Sequence, residues 1–341
     1  MTLIMRHDAQ LPFQAEALLS VPFEHMDELI RQQASEHGLE LRSDAAGSIW
    51  LRIGQGEFGV MSNDTGCMVC ARAESCDWLF TLQEAVTYHV QDRFGISLRW
   101  AGAERVGQFP PNFSLARVVS VRPLGAYFLR LRIEGQNLGR FARDMIHFRI
   151  VLPHPDQPTV WPELSDVGQT CWPQDLHRPA YTVSTIDAEA GWLETDVFIH
   201  EGGRVCNFVA QSGVGTEIGL TGPGGGGVPR ATDRLLIGGD ETAYPALSRI
   251  IAAQAREVRI DCHLFGDVSD YPFASHPGLY LSHTPGAENC LADNLDRTGI
   301  VADKVWFATE RTRLQRLKQA VLCHLPKDRA HLAAYWTATG R

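Results

Sequence analysis

The residues that first invite a chemical reading are glycines. Residues 221–230 read TGPGGGGVPR, and Gly222-x-Gly224-x-x-Gly227 fits the glycine spacing of a dinucleotide-binding turn. Such a turn lets bare backbone approach a pyrophosphate at the N-terminus of a helix that opens directly after it. Here Val228-Pro229-Arg230-Ala231-Thr232-Asp233 comes next, without an apolar helical stripe, and the element after that is a strand, RLLIGGD. The required context is missing, so the segment reads as a flexible turn between two domains. Cys67-Met-Val-Cys70 has the CxxC spacing of a metal or redox pair. Its segment, GCMVCARA, reads as a strand, in which positions three apart face opposite sides. No second pair at zinc-site spacing accompanies it, so ordinary strand cysteines are expected. Polar groups also stand at two predicted strand ends, Gly238-Gly239-Asp240-Glu241-Thr242 and Ala308-Thr309-Glu310. The carboxyl ends of parallel strands are where an α/β sheet opens its binding crevice.

The elements that position these residues fall into three stretches of the 341-residue chain. In residues 1–112, FEHMDELIRQQASEHG is an amphipathic helix ended by Gly38. Strands separated by Gly and Asn-Asp turns come after it in SIWLRIGQGEFGVMSNDTGCMVCARA. DWLFTLQEAVTYHVQDRFG is a second helix, with Leu79, Leu82, Val86, His89 and Val90 near one face. This makes a small α+β unit, closed by the linker around Pro110-Pro111. Residues 113–228 carry five or six short strands punctuated by Gly, Pro or Asp, the signature of a small antiparallel barrel. Residues 229–341 alternate strand and helix, which implies a parallel sheet with crossover helices.

Bulk properties narrow the classes. The formal charge of −9 argues against a general nucleic-acid binder. No run approaches the roughly 20 apolar residues of a membrane span, and MTLIMRHDAQLPF lacks the apolar stretch of a secretion signal. Eight cysteines spread over this length fit reduced thiols in a cytoplasmic protein.

A barrel followed by a half-Rossmann sheet is the layout of ferredoxin-reductase-like flavoenzymes. On a predicted barrel strand, Arg178-Pro-Ala-Tyr181-Thr182-Val183 offers a cation for phosphate, an aromatic wall and a hydroxyl donor; composition alone favours a plain strand with an exposed Arg and a half-buried Tyr. Five motifs in register then carry a resemblance. RPAYTVS resembles R-x-Y-T-x-R, with Ser184 at the second arginine. Asp196-Val-Phe-Ile-His200 resembles D-F-V-x-H, and Gly239-Asp240-Glu241-Thr242-Ala243-Tyr244-Pro245 matches G-D-E-T-A-x-P. Trp306-Phe307-Ala308-Thr309-Glu310 resembles W-x-A-G-E, and Ala334-Tyr335-Trp336-Thr337-Ala338-Thr339-Gly340 resembles G-Y-W-x-x-G. Through these motifs residues 116–341 resemble the siderophore-interacting protein family, reductases that use FAD and NAD(P)H to reduce ferric siderophores.

The resemblance implies an FAD site built from Arg178, Tyr181, Thr182, Val183, His200, Asn207, Glu241, Thr242, Tyr335 and Trp336. The segment Gly202-Gly203-Arg204-Val205-Cys206-Asn207-Phe208 departs from the family's G-P-A-S-x-W loop and reads as a turn whose N–H groups and Asn207 still reach phosphate. Because ferric siderophores are often anionic, Arg149, Arg130, Arg316 and Lys318 are candidate substrate cations, with solvated surface charge as the alternative. No catalytic acid, base or nucleophile and no resident metal site is expected. The first 100 residues resemble a small uncharacterised domain found alone or fused to such reductases, with His89 and Trp100 in its signature. A siderophore-binding module without redox turnover, and a general flavin-dependent NAD(P)H reductase, are the alternatives that remain open.

Overall fold

A computed structural model of the chain describes residues 11–338, apart from 45–46, 102–105, 143–145, 212 and 231. The secretion-signal reading of the first ten residues, and Thr339 and Gly340 of the terminal motif, lie outside the described residues. The chain forms two compact units, residues 1–114 with 153–177, and residues 115–152 with 178–341.

The first unit runs β1 (Phe13–Leu19), α1 (Phe23–His37), β2 (Leu41–Ser43), β3 (Ile49–Ile53), β4 (Gly56–Asn63), β5 (Gly66–Ala73) and α2 (Cys76–Phe94). Its antiparallel sheet has the order β1-β5-β4-β3-β2. Helix α1 stops where Gly38 takes the left-handed conformation, φ 63°, and its N–H bonds the Ala34 carbonyl. Helix α2 starts at Ser75, whose hydroxyl accepts from the Trp78 N–H, and it buries Leu79, Leu82, Val86 and Val90. Cys67 and Cys70 are both buried on β5, and burial pushes the Cys67 thiol up to about 11, leaving it a neutral, inert side chain. Trp100 is buried too and donates its indole N–H to the Thr87 hydroxyl at 3.0 Å.

The second unit opens with β6 (Phe113–Leu124, its first two residues counted with the first unit), β7 (Phe128–Gly135) and β8 (His147–Val151). The intervening segment 153–177 groups with the first unit and holds the short pair β9 (Glu163–Leu164) and β10 (Thr170–Cys171). The chain continues with β11 (Ala180–Thr182), β12 (Thr185–Asp187), β13 (Trp192–Phe198), α3 (Arg204–Gln211) and β14 (Glu217–Gly224). These strands form a seven-stranded, barrel-like sheet in the order β11-β8-β14-β6-β7-β13-β12. On β8 burial alternates as in a half-buried sheet: Phe148 and Ile150 are buried while Arg149 between them is exposed.

After the glycine loop come β15 (Arg234–Gly239), α4 (Tyr244–Ala252), β16 (Arg259–Leu264), β17 (Leu279–His283), α5 (Glu288–Thr298), β18 (Lys304–Glu310), α6 (Arg311–His324) and β19 (Ala330–Trp336). All five strands are parallel, in the order β17-β16-β15-β18-β19. One face packs α4 and Trp306, the other packs α5 and α6 around Phe307. A barrel-like antiparallel sheet followed by this half-Rossmann sheet is a ferredoxin-reductase-like arrangement. The two sheets share a core: Phe128 and Ile146 belong to the same buried cluster as Tyr244 and Tyr271. Arg249 of α4 donates to the Val183 carbonyl at 2.8 Å. Among the described residues, no helix is long and apolar enough to cross a membrane.

Candidate functional site

Where the two sheets of the second unit meet, a cleft encloses about 730 Å³, within the roughly 300–1,000 Å³ usual for small-molecule pockets. Strands β8 and β11 supply one wall, with His147, Arg149, Tyr181 and Thr182. The carboxyl end of β15 supplies Glu241 and Thr242, and β19 supplies His331, Tyr335 and Trp336. Residues 221–226, the start of the glycine loop, close the gap between these walls. The loop that joins the two sheets therefore also lines the cleft. Gly224 has nothing within 4 Å of where a Cβ would stand, so bare backbone faces open space there. A Cβ on Gly225, at φ +76°, would stand 2.5 Å from His147 Cδ2, and one on Gly226 would stand 2.5 Å from His331 Cε1.

His147 ties the walls together. The Tyr335 hydroxyl lies 2.8 Å from His147 Nε2, and the Thr182 hydroxyl lies 3.2 Å from Nδ1. Burial, then the charges of His331 and Arg249, lowers His147 to about 4, so the ring is neutral at physiological pH. A neutral ring donates from one nitrogen and accepts at the other, so the two hydroxyls take opposite roles. Burial likewise raises the phenols of Tyr181 and Tyr335, which stay protonated. His147 is not among the residues that the sequence motifs single out. A signal for it is present all the same, because His147 and Arg149 sit two apart on one strand and so share a face.

The carboxylates at the strand ends are spent on structure. Asp240, 2% exposed, accepts from the Thr242 N–H (3.0 Å) and hydroxyl (2.5 Å), from Thr309 Oγ1 (2.9 Å) and from Trp336 Nε1 (2.9 Å). Thr309, at the family's glycine position, thus belongs to a buried network that also approaches Glu288 at 3.3 Å. Glu310 caps α6, accepting from the Thr312 hydroxyl and N–H and from the Arg313 N–H, and it accepts from Ala338 N–H at 3.2 Å. These bonds, the Thr312 hydroxyl first, hold its carboxyl at about 2.

Of the residues proposed from sequence, the structure brings Tyr181, Thr182, His200, Glu241, Thr242, Tyr335, Trp336 and Arg149 to the cleft lining. The others stand elsewhere. Arg178 lies just outside the lining, its carbonyl accepting from Arg149 Nη1 at 2.8 Å. Val183 is turned into the barrel core, 1% exposed. Residues 204–211 are helix, not a turn, and the Asn207 N–H is consumed by the Gly203 carbonyl at 2.9 Å while its side chain is exposed on α3. Arg130 lies outside the lining and grips Asp196, a lining residue, with two bonds of 2.6 and 2.7 Å. Ser184, at the family's arginine position, donates to the same carboxylate at 3.0 Å, as does Tyr271 at 2.7 Å. Arg316 pairs with Asp293 and Asp296 of α5, and Lys318 is exposed on α6, away from the cleft lining. Among the described residues, no group of three or more His, Cys, Asp or Glu is arranged to hold a metal ion.

Comparison with known proteins places this geometry. Residues 117–227 match the siderophore-interacting FAD-binding domain, and residues 232–339 match the siderophore-interacting protein domain that comes after it. No curated protein matches the chain in sequence. Among solved structures, the chain is similar to the siderophore-interacting protein SipS from Aeromonas hydrophila, with 20% identity and a TM-score of 0.55, over 67% of this chain and 99% of that one. It is also similar to a siderophore utilization protein from T. fusca, with 21% identity and a TM-score of 0.58, over 70% and 98% of the two chains. At these identities the structural likeness speaks for the fold, and the two consecutive sequence matches speak for the family. Through residues 117–339, the chain belongs to the siderophore-interacting protein family.

Proposed function

We propose that the chain is an FAD-dependent reductase that draws on NAD(P)H and reduces ferric iron held by a siderophore. The observation that carries this reading is the cleft itself, walled by aromatic residues from both sheets in a chain that matches a siderophore-interacting FAD-binding domain. On this reading residues 113–228 form the FAD-binding barrel, residues 229–341 the nicotinamide domain and residues 1–112 an accessory domain.

The donor set suits a flavin. Tyr181, half-buried against the barrel core, and Trp336, 41% exposed, offer flat apolar surface. The bare backbone at Gly224 leaves room for close approach, and Arg149 and Arg178 bring positive charge beside β11. FAD bound there would supply the step from a two-electron hydride donor to a one-electron metal acceptor. The protein's own residues position and insulate. The His147 bridge fixes Tyr335 against Thr182, and the Asp240 carboxylate fixes the Trp336 indole. His147, neutral, adds no charge to the wall. Siderophores hold Fe(III) with hard oxygen donors, and Fe(II) fits them poorly, so reduction releases the metal.

The test is anaerobic. Protein loaded with FAD should lose its yellow colour with NADH or NADPH and regain it on adding a ferric siderophore, while a ferrous-specific chelator reports Fe(II). Colour that returns with quinone or free flavin but not with any ferric siderophore would point to a general flavin reductase. Siderophore binding without bleaching would point to a module that binds and does not turn over.

A further inference from the structure

We propose that Thr309 is a positioning residue for the cofactor wall: through Asp240 it holds the Trp336 indole in the cleft before any ligand arrives. The inference rests on the flavin reading above and deepens it. On a regular strand Tyr335 and Trp336 would point to opposite faces, yet both line the cleft. The pairing of β19 with β18 accounts for this. Thr309 faces Ala334 and Glu310 faces Trp336, so the register skips Tyr335. Such a bulge re-aims side chains and interrupts the backbone ladder. The strand end therefore depends on side chains to hold it, and β18 supplies them.

Glu310 takes the far side of the bulge, accepting from the Ala338 N–H at 3.2 Å. Thr309 takes the near side. It is fully buried, and its hydroxyl donates to Asp240 Oδ2 at 2.9 Å. The same oxygen accepts from Trp336 Nε1 at 2.9 Å. Asp240 Oδ1 is held separately by the Thr242 N–H and hydroxyl. Each carboxylate oxygen has room for two donors, so the Thr309 hydroxyl completes the set. Behind it, Thr309 Oγ1 lies 3.3 Å from Glu288 Oε1, which lies 3.7 Å from Arg313 Nη1. The contacts thus run from the cleft, through the ends of two strands, to α5 and α6. Glycine, the family's residue at this position, offers no hydroxyl. Asp240 Oδ2 would then face the indole alone, and a rotation of the carboxylate would carry the 41% exposed ring with it. A wall already ordered spares a planar ligand the entropy of fixing a large side chain.

The test labels the eight tryptophans of the full-length protein with fluorotryptophan and reads fluorine NMR spectra before FAD is added. The Trp336 resonance is identified by its loss in Trp336→Phe. FAD affinity is measured alongside by quenching of flavin fluorescence. Thr309→Val keeps the shape and drops the hydroxyl. It should broaden or shift the Trp336 resonance and weaken FAD binding about three- to tenfold, the cost of ordering one large side chain on binding. Thr309→Ser, which keeps the hydroxyl, should return the wild-type resonance and affinity. In the Trp336→Phe background, Thr309→Val should change FAD affinity less than about twofold, because the two residues act as one unit. Where Thr309→Val does not fold, Thr309→Ala is read in the same way. A Trp336 resonance or an FAD affinity that loss of the hydroxyl leaves as in wild type overturns the proposal and makes Thr309 a structural residue. So does a loss of affinity that persists in full in the Trp336→Phe background. Wild type that binds no FAD at all removes the flavin reading and, with it, this role for Thr309.

Discussion

Replacing Arg130 with methionine separates a structural arginine from a substrate-binding one. In the sequence Arg130 is a candidate cation for an anionic chelate; in the structure it is 19% exposed and holds Asp196, whose side chain is fully buried. Arg130→Met would keep the aliphatic stem and leave the carboxylate with two donors, Ser184 at 3.0 Å and Tyr271 at 2.7 Å. Orphaning one partner of a buried pair costs about 3–5 kcal/mol, and the two remaining donors put the expected loss at the lower end, about 3 kcal/mol. For a unit of this size that lowers the melting temperature by about 6–12 °C. Differential scanning calorimetry, read on the transition assigned to the second unit, measures it. Arg130→Met combined with Asp196→Asn, which removes the stranded charge and keeps an acceptor for Tyr271, should recover at least half of the loss. The KM for a ferric chelate, assayed well below the melting range, should change less than about twofold. An unchanged melting temperature together with a strongly raised KM would refute the reasoning and return Arg130 to the substrate.

Other perturbations probe the walls of the cleft. His147 has a folded value of about 4 against 6.5 for the free side chain, so the unfolded chain binds the extra proton between those values. Its contribution is fully present above about pH 6.5 and is lost as pH falls toward 4. His147→Gln should therefore flatten the fall in melting temperature over that window, leaving the part due to His331, which is shifted the same way. Gly226→Ala drives a methyl within 2.7 Å of His331 Nδ1, and His331 is stacked on Trp306 with ring centroids 5.4 Å apart. Chemical denaturation should register a loss of about 1–3 kcal/mol, and FAD affinity should fall with it. Arg149→Ala should raise the KM for an anionic ferric chelate, with an effect that shrinks at high salt. Arg316→Ala and Lys318→Ala should leave that KM unchanged and barely move the melting temperature, as exposed charges do.

Strong periodicity makes much of the fold legible in the sequence. The long helices α1 and α2 show their apolar stripes, and the parallel sheet announces itself through the apolar strand starts RLLIGG and KVWFATE. Among the elements that escape a sequence reading, three do so for plain physical reasons. β1 (FQAEALL) buries Ala15, Ala17 and Leu19, and alanine is a weak strand former, so its alternation carries little signal. α3 buries only Val205 and Val209, an i,i+4 pair hidden behind the Gly202-Gly203 entry. α5 is polar along most of its length and buries little beyond Ala292 and Leu295. The site is legible where motif and strand coincide, as at Tyr181-Thr182 and Tyr335-Trp336. It is not legible where charge pairing across strands decides a side chain's fate. Arg130 and Asp196 face each other on β7 and β13, 66 residues apart in sequence, and no local pattern reveals that register. The glycine loop is a similar case. No helix opens after it, so it is no fingerprint, yet its backbone lines the cleft because β14 runs into it.

The central claim is that a flavin lies in the cleft between β11 and β19. Its most direct measurement is an FAD titration of the purified wild-type protein and of Gly224→Trp, which fills the open space at that wall, monitored by quenching of flavin fluorescence. The account predicts saturable binding of one FAD per chain by wild type and a loss of at least about tenfold in Gly224→Trp, with both proteins melting normally. Absence of saturable binding in wild type, or equal affinity in the blocked variant, would contradict it.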